Sequence, residues 1–133
     1  MVETIRANGS VQASVVNAGV LAHPLTGDSV VGFVVARRGA RKLVHLRARP
    51  HVTVVFRSGW EWVAVEGDAD LAGPDDRLEG LVPAETVRLL RVVYAAAAGG
   101  SPDDWASLDD AMAEEGHTAV LLRPRRVYSN PAE

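Results

Sequence analysis

The sequence predicts a mainly β fold, an antiparallel β-barrel of six or seven short strands with peripheral helices, on three observations. Short valine-rich runs recur along the chain, separated by turn signals such as Asn8-Gly9 and Ser58-Gly59. Helical periodicity is confined to one short segment around Leu43 and Leu46 and two segments after Ala84. That order lacks the regular strand-helix alternation of a parallel sheet, which argues against a Rossmann-type fold.

The elements follow in order. Val2 to Arg6 alternates weakly and is followed by Asn8-Gly9, a strong hairpin signal, so the chain opens with a hairpin. Its second strand is expected over Val11 to Leu21, with Gly19 marking a bulge or bend. After a turn at Pro24 and Gly27-Asp28, the almost continuously apolar run Ser29 to Ala36 suits a strand covered on both sides. Between Gly39 and Arg49 the period changes, and Leu43 and Leu46 give one apolar side to a short helix that Pro50 ends.

His51 to Arg57 and Trp60 to Leu71 read as a hairpin turning at Ser58-Gly59. A polar stretch from Gly73 leads to a helix from Ala84 to Ala98, with Val87, Leu90, Val93 and Tyr94 in register and Gly99-Gly100 as its stop. Ser101-Pro102-Asp103-Asp104 reads as the cap of a further helix reaching Glu115. Two short strands, Thr118 to Leu122 and Arg126 to Ser129, complete the set. Valine-rich faces on nearly every strand exceed what so small a barrel can cover, which predicts a homodimer.

A length of 133 residues and a hydrophobic fraction of 47% suit one domain, 1–133, with one packed core. The absence of cysteine excludes disulfides and thiolate metal sites, and neither a signal peptide nor a membrane-length apolar run is evident, so a soluble cytoplasmic protein without a membrane partner is expected. A net charge of −3 gives no electrostatic case for nucleic acid. His23, His45, His51 and His117 lack metal-ligand spacing and read as surface or strand-end residues. No hydrolase triad order, P-loop or dinucleotide fingerprint is present.

Within this acidic chain, four of the fourteen cations fall in six residues: Arg37, Arg38, Arg41 and Lys42. A helix N-terminus favours acids and Ser or Thr caps, whereas here Gly39 stands at the cap position and cations occupy the first turn. An anion bound between these cations and the free backbone N–H groups reverses the penalty. The alternative is a solvated basic loop, screened within about 8–10 Å.

Three stretches resemble a known family, the pyridoxamine 5′-phosphate oxidase-like split β-barrel proteins that bind flavins and deazaflavins. They are Thr4 to Gln12, Ala40 to Pro50 and Trp60 to Gly67, and the part from Ser101 to Tyr128 is similar to the branch of coenzyme F420-dependent reductases. The resemblance implies that Arg41 and Lys42 hold the cofactor phosphate, with Val35 and Ala36 as backbone contributors. It places Gln12, Ser14 and Asn17 near the ring or ribityl chain, and Trp60 near the ring system. Arg37 or Arg38 then meets the acidic tail of F420. Trp60 and Trp62 equally suit a core or interface role. The substrate-binding Trp and Arg of true pyridoxamine-phosphate oxidases have no match in Arg123 to Tyr128, which speaks against vitamin B6 oxidation. The implied function is an F420H2-dependent oxidoreductase passing a hydride to a small electron-poor acceptor. The alternatives are an FMN-binding oxidoreductase of the same fold, or a non-catalytic carrier of F420, flavin or haem.

Overall fold

The run from Val11 to Leu21 forms two strands rather than one, and that division shapes the molecule. The structure is a computed structural model describing residues 1–100 and 102–130. In chain order its strands are β1 (Val2–Ile5), β2 (Val11–Ser14), β3 (Ala18–Ala22), β4 (Ser29–Val35), β5 (His51–Ser58), β6 (Glu61–Ala72) and β7 (Thr118–Ser129). Helix α1 (Arg41–Ala48) lies between β4 and β5, and α2 (Pro83–Ala98) and α3 (Trp105–Glu115) lie between β6 and β7. All strand pairs are antiparallel, in the order β2-β1-β5-β6-β7-β4-β3.

Strands β2 and β3 are therefore the two edges of one sheet, joined only by residues 15–17. Seven strands laid flat span about 29 Å at about 4.8 Å spacing. The four Cα steps from Ser14 to Ala18 reach at most about 14 Å. The sheet must therefore curl until its edges approach, which makes the expected barrel. Alternating valines cannot mark such a break, because either half fits a strand paired with any neighbour.

The inner faces share one core containing Val2, Phe33, Val52, Val54, Val65, Val120 and Leu122, into which α1 inserts Leu43 and Leu46. A second core lies outside the wall, where α2 lays Leu89, Leu90 and Val93 over Leu21, Val30 and Leu121, with Met112 of α3 alongside. Val87, expected on the buried side of α2, is 40% exposed, and Leu89 takes the inward position.

Several local expectations change. The first hairpin turns through Arg6 to Ser10, closed by Gly9 N–H to Arg6 C=O at 2.9 Å, and only Gly9 has a positive φ (85°). The second turns at Gly59-Trp60, since Ser58 pairs with Glu61, so Trp60 is a turn residue and not part of β6. The cap of α3 is Asp104, whose carboxylate accepts from Ser107 N–H at 3.2 Å. Ser101 lies outside the described residues. Strand β7 is continuous where two strands were expected. Pro124 is tolerated because pairing with β4 ends at Leu122, leaving no ladder partner to miss its N–H on that side. A bulge between Glu66 and Gly67 takes up the register.

His23 closes the turn after β3: its buried ring accepts at Nδ1 from Leu25 N–H (3.1 Å) and bonds Asp70 through Nε2 (2.9 Å). This is the strand-end role expected of it. Among the described residues no helix is long and apolar enough to cross a membrane.

Candidate functional site

Helix α1 presents two faces with different duties. Leu43 and Leu46, three residues apart, enter the barrel core, while Arg41 and His45, four apart, share a neighbouring face. That face looks across at the β1–β2 hairpin. Between them lies an open cleft of about 490 Å³ lined by Arg6, Ala7, Asn8, Gln12, Arg41 and His45. No acidic residue is among its walls.

The hairpin side is ordered by its own hydrogen bonds. Arg6 donates to Val11 C=O at 3.0 Å and to Ser10 Oγ at 3.4 Å, which folds the guanidinium over the turn. Asn8 Oδ1 accepts from Ser10 N–H (2.9 Å) and Oγ–H (2.6 Å), leaving its amide N–H groups uncommitted by these bonds. Gln12 stands opposite Thr4 in the β1–β2 ladder. Its Oε1 is buried without a hydrogen-bond partner among the described residues. A buried acceptor left unpaired costs roughly 1–3 kcal/mol.

The start of α1 lacks a cap. Ala40, not Gly39, is the N-cap; no side chain caps the helix and no acid lies in its first turn. Among the described residues the backbone N–H groups of Arg41 and Lys42 have no backbone acceptor. Among the described residues neither Arg37, Arg41 nor Lys42 forms an ion pair. Burial first, and the Arg37 guanidinium second, hold the Lys42 ammonium below the ordinary lysine range. Uncapped N–H groups beside unpaired cations are suited to an anion.

The ten residues singled out from sequence separate in space. Gln12 and Arg41 line one cleft, with Lys42 next to Arg41 on α1 and Arg37 beside Lys42. Arg38 is engaged elsewhere: Nε donates to Asp75 at 2.5 Å and its backbone N–H to Glu115 C=O at 3.1 Å. Val35 is buried and its backbone lies in the ladder opposite Thr118, while Ala36 lies exposed just past it. Ser14 points to the same side as Gln12 but lies about 7 Å farther from the turn, and Asn17 sits exposed on the link beyond it. Trp60 is at the opposite end. Met1 pairs with Val55, so the hairpin tip is separated from Arg6 by about 30 Å of ladder. With 89% of its surface exposed, Trp60 lines no wall of this cleft.

Arg6, Asn8 and His45 are cleft residues that sequence reasoning passed over. The four-residue spacing from Arg41 to His45 was the available signal for the histidine; Arg6 and Asn8 carried only a turn signature. Among the described residues, no group of three His, Asp or Glu side chains converges as a metal site.

The fold is one seen in other proteins. The chain is similar to the crystal structure of a conserved hypothetical protein, Rv2991, of Mycobacterium tuberculosis (TM-score 0.69, 20% identity), covering 96% of this chain and 73% of that one. It is also similar to a pyridoxamine 5′-phosphate oxidase-related, FMN-binding protein of Nostoc punctiforme (TM-score 0.60, 17% identity), covering 96% of this chain and 72% of that one. No protein-family model matches the chain, and no curated protein matches it. The likeness establishes the fold expected from the sequence, a mainly β barrel of this type with peripheral helices.

Proposed function

We propose that this chain binds a flavin phosphate, FMN, and acts as an oxidoreductase on a small electron-poor acceptor. One observation carries the reading: a cleft walled by Arg6, Arg41 and His45, without an acid, and also by Gln12, whose buried Oε1 has no partner among the described residues. An anion and an N–H donor in one ligand satisfy both ends, and a flavin phosphate supplies both. The similarity to an FMN-binding protein of this fold supports that choice over coenzyme F420, for which no comparable likeness stands.

In this reading Arg41, Lys42 and their free backbone N–H groups hold the phosphate, and Gln12 Oε1 accepts from the ring. The bound flavin supplies hydride transfer. The protein's task is to anchor, orient and shield it. Arg37, exposed beside Lys42, remains for any longer acidic tail, a role that Arg38 could take up only by releasing Asp75.

A homodimer belongs to the same proposal. Val11 of β2 is 52% exposed, Val15 of the link after it 89%, and Val20 of β3 66%. A second copy over the sheet edges would cover them.

Fluorescence titration of the purified chain with FMN, riboflavin, F420 and haem tests the reading. FMN is expected to bind most tightly, and Arg41→Ala to weaken it about tenfold or more. Preference for F420 would restore the deazaflavin reading, and binding of neither flavin nor F420 would end the cofactor proposal. Turnover with an acceptor panel separates an enzyme from a carrier.

A further inference from the structure

His45 is held by a contact that fixes which face of its ring serves a ligand. Its Nδ1 lies 3.1 Å from Oγ1 of Thr4, a β1 residue only 1% exposed. Among the described residues the Thr4 hydroxyl has no other hydrogen bond, and burial denies it water. Were Nδ1–H to donate to Oγ1 in the neutral ring, the hydroxyl proton would be stranded. The hydroxyl therefore donates to Nδ1, and the ring proton sits on Nε2. A protonated ring donates from Nδ1 to Thr4 and still carries Nε2–H. Both charge states thus leave a donor at Nε2, which has no protein partner among the described residues, on a ring that lines the cleft beside Arg41.

We infer that His45 is a ligand-binding residue, fixed by Thr4 as its positioning residue, whose Nε2–H binds an oxyanion shared with Arg6 and Arg41. The ligand class is a molecule bearing a phosphate or similar oxyanion. Its identity as FMN rests on the reading above, whereas its charge rests on the cleft alone. Histidine differs from a third arginine here: it adds a directed donor on a short, fixed side chain, braced from behind by a β-strand.

FMN and riboflavin, which differ only in the phosphate, test this directly. A hydrogen bond to a charged group is worth about tenfold or more in affinity. His45→Ala is expected to weaken FMN by about tenfold while leaving riboflavin within about twofold. Thr4→Val should weaken FMN in the same selective way, and Thr4→Ser, which keeps the hydroxyl, should restore it. Equal losses for both flavins mean a structural role and overturn the inference, as does an unchanged FMN affinity in His45→Ala.

Nitrogen NMR of the histidines in the intact wild-type chain covers variants that fail to fold. It should show His45 protonated at Nε2 and that signal moving on addition of FMN. A proton at Nδ1 with Nε2 bare overturns the inference. If the wild-type chain binds neither flavin, the same signal is followed with inorganic phosphate. A shift then upholds the oxyanion site while the cofactor reading falls, and no shift ends both.

Discussion

Gly67→Ala tests the β6–β7 bulge most sharply. A Cβ built at Gly67 falls 1.9 Å from Arg123 O and 2.9 Å from its carbonyl carbon, both backbone atoms. Ordinary contact begins at 3.4 Å, so the two strands must part by about 1.5 Å at this point. Neither strand can yield alone. β6 is tied to β5 through Val52 opposite Gly67, and β7 is tied to β4 through Leu122 opposite Val31. Over-packing of this kind costs about 3 kcal/mol at the upper end of the usual range. For 133 residues the unfolding entropy near the midpoint is about 0.28 kcal/mol/K, so Tm should fall by about 10 °C. Thermal and urea unfolding followed by circular dichroism measure it. Gly100→Ala serves as control, because among the described residues nothing lies within 4 Å of its Cβ and its φ is not in the left-handed region. A Gly67→Ala chain melting within about 2 °C of wild type would refute the bulge geometry.

Two further outcomes bear on the site and its assembly. Lys42 is held below the ordinary lysine range in the folded chain, so the unfolded state binds its proton more tightly; the resulting cost to stability is full below the lowered pKa and fades as pH rises from there to the ordinary lysine value. An anion beside Lys42 raises that pKa again, so binding takes up protons and weakens with rising pH in this alkaline window. Calorimetry of FMN binding in two alkaline buffers of different ionisation enthalpy should show the uptake, and Lys42→Met should remove it; an identical dependence in the variant would show that another group titrates. Val15→Asp, placed at an 89% exposed position, should convert a dimer to a monomer by light scattering at micromolar concentration while circular dichroism still shows a folded chain, and should remove the dependence of Tm on protein concentration. A wild-type chain already monomeric under those conditions would count against the assembly.

Much of the architecture was legible because local chemistry and tertiary role agree. Leu43 and Leu46 with Pro50 mark α1, and the Val-rich run before Ala36 marks β4. The β5–β6 hairpin also follows from its glycine, with only the turn shifted by one residue. The missed features depend on partners distant in sequence. Nothing in Val11 to Leu21 tells that its two halves pair with β1 and β4 on opposite edges. Pro124 reads as a strand breaker until the end of the β4 ladder is known. Ser101-Pro102 imitates a helix start, yet Asp104 is the residue whose carboxylate meets an N–H of the first turn.

The site was legible in its cations and not in its walls. Arg41 and Lys42 stand out by breaking the rule that helix starts favour acids, and Gln12 emerged from the family resemblance. Arg38 looked equivalent to Arg37 until Asp75, thirty-seven residues onward, came beside it. His45 looked like any surface histidine because Thr4, its anchor, lies forty-one residues away.

The three residues joining β2 to β3 act as a gauge on the mouth of the barrel. Sliding β2 along β1 by one pleat repeat, about 6.8 Å, would demand the same length from a link of only four Cα steps, so the registers of both edges are covalently coupled. Shortening this segment would draw the edge bearing Gln12 toward β3; lengthening it would let that edge drift. The link thus bears on where the edge carrying Gln12 lies, from positions that lie outside the cleft lining.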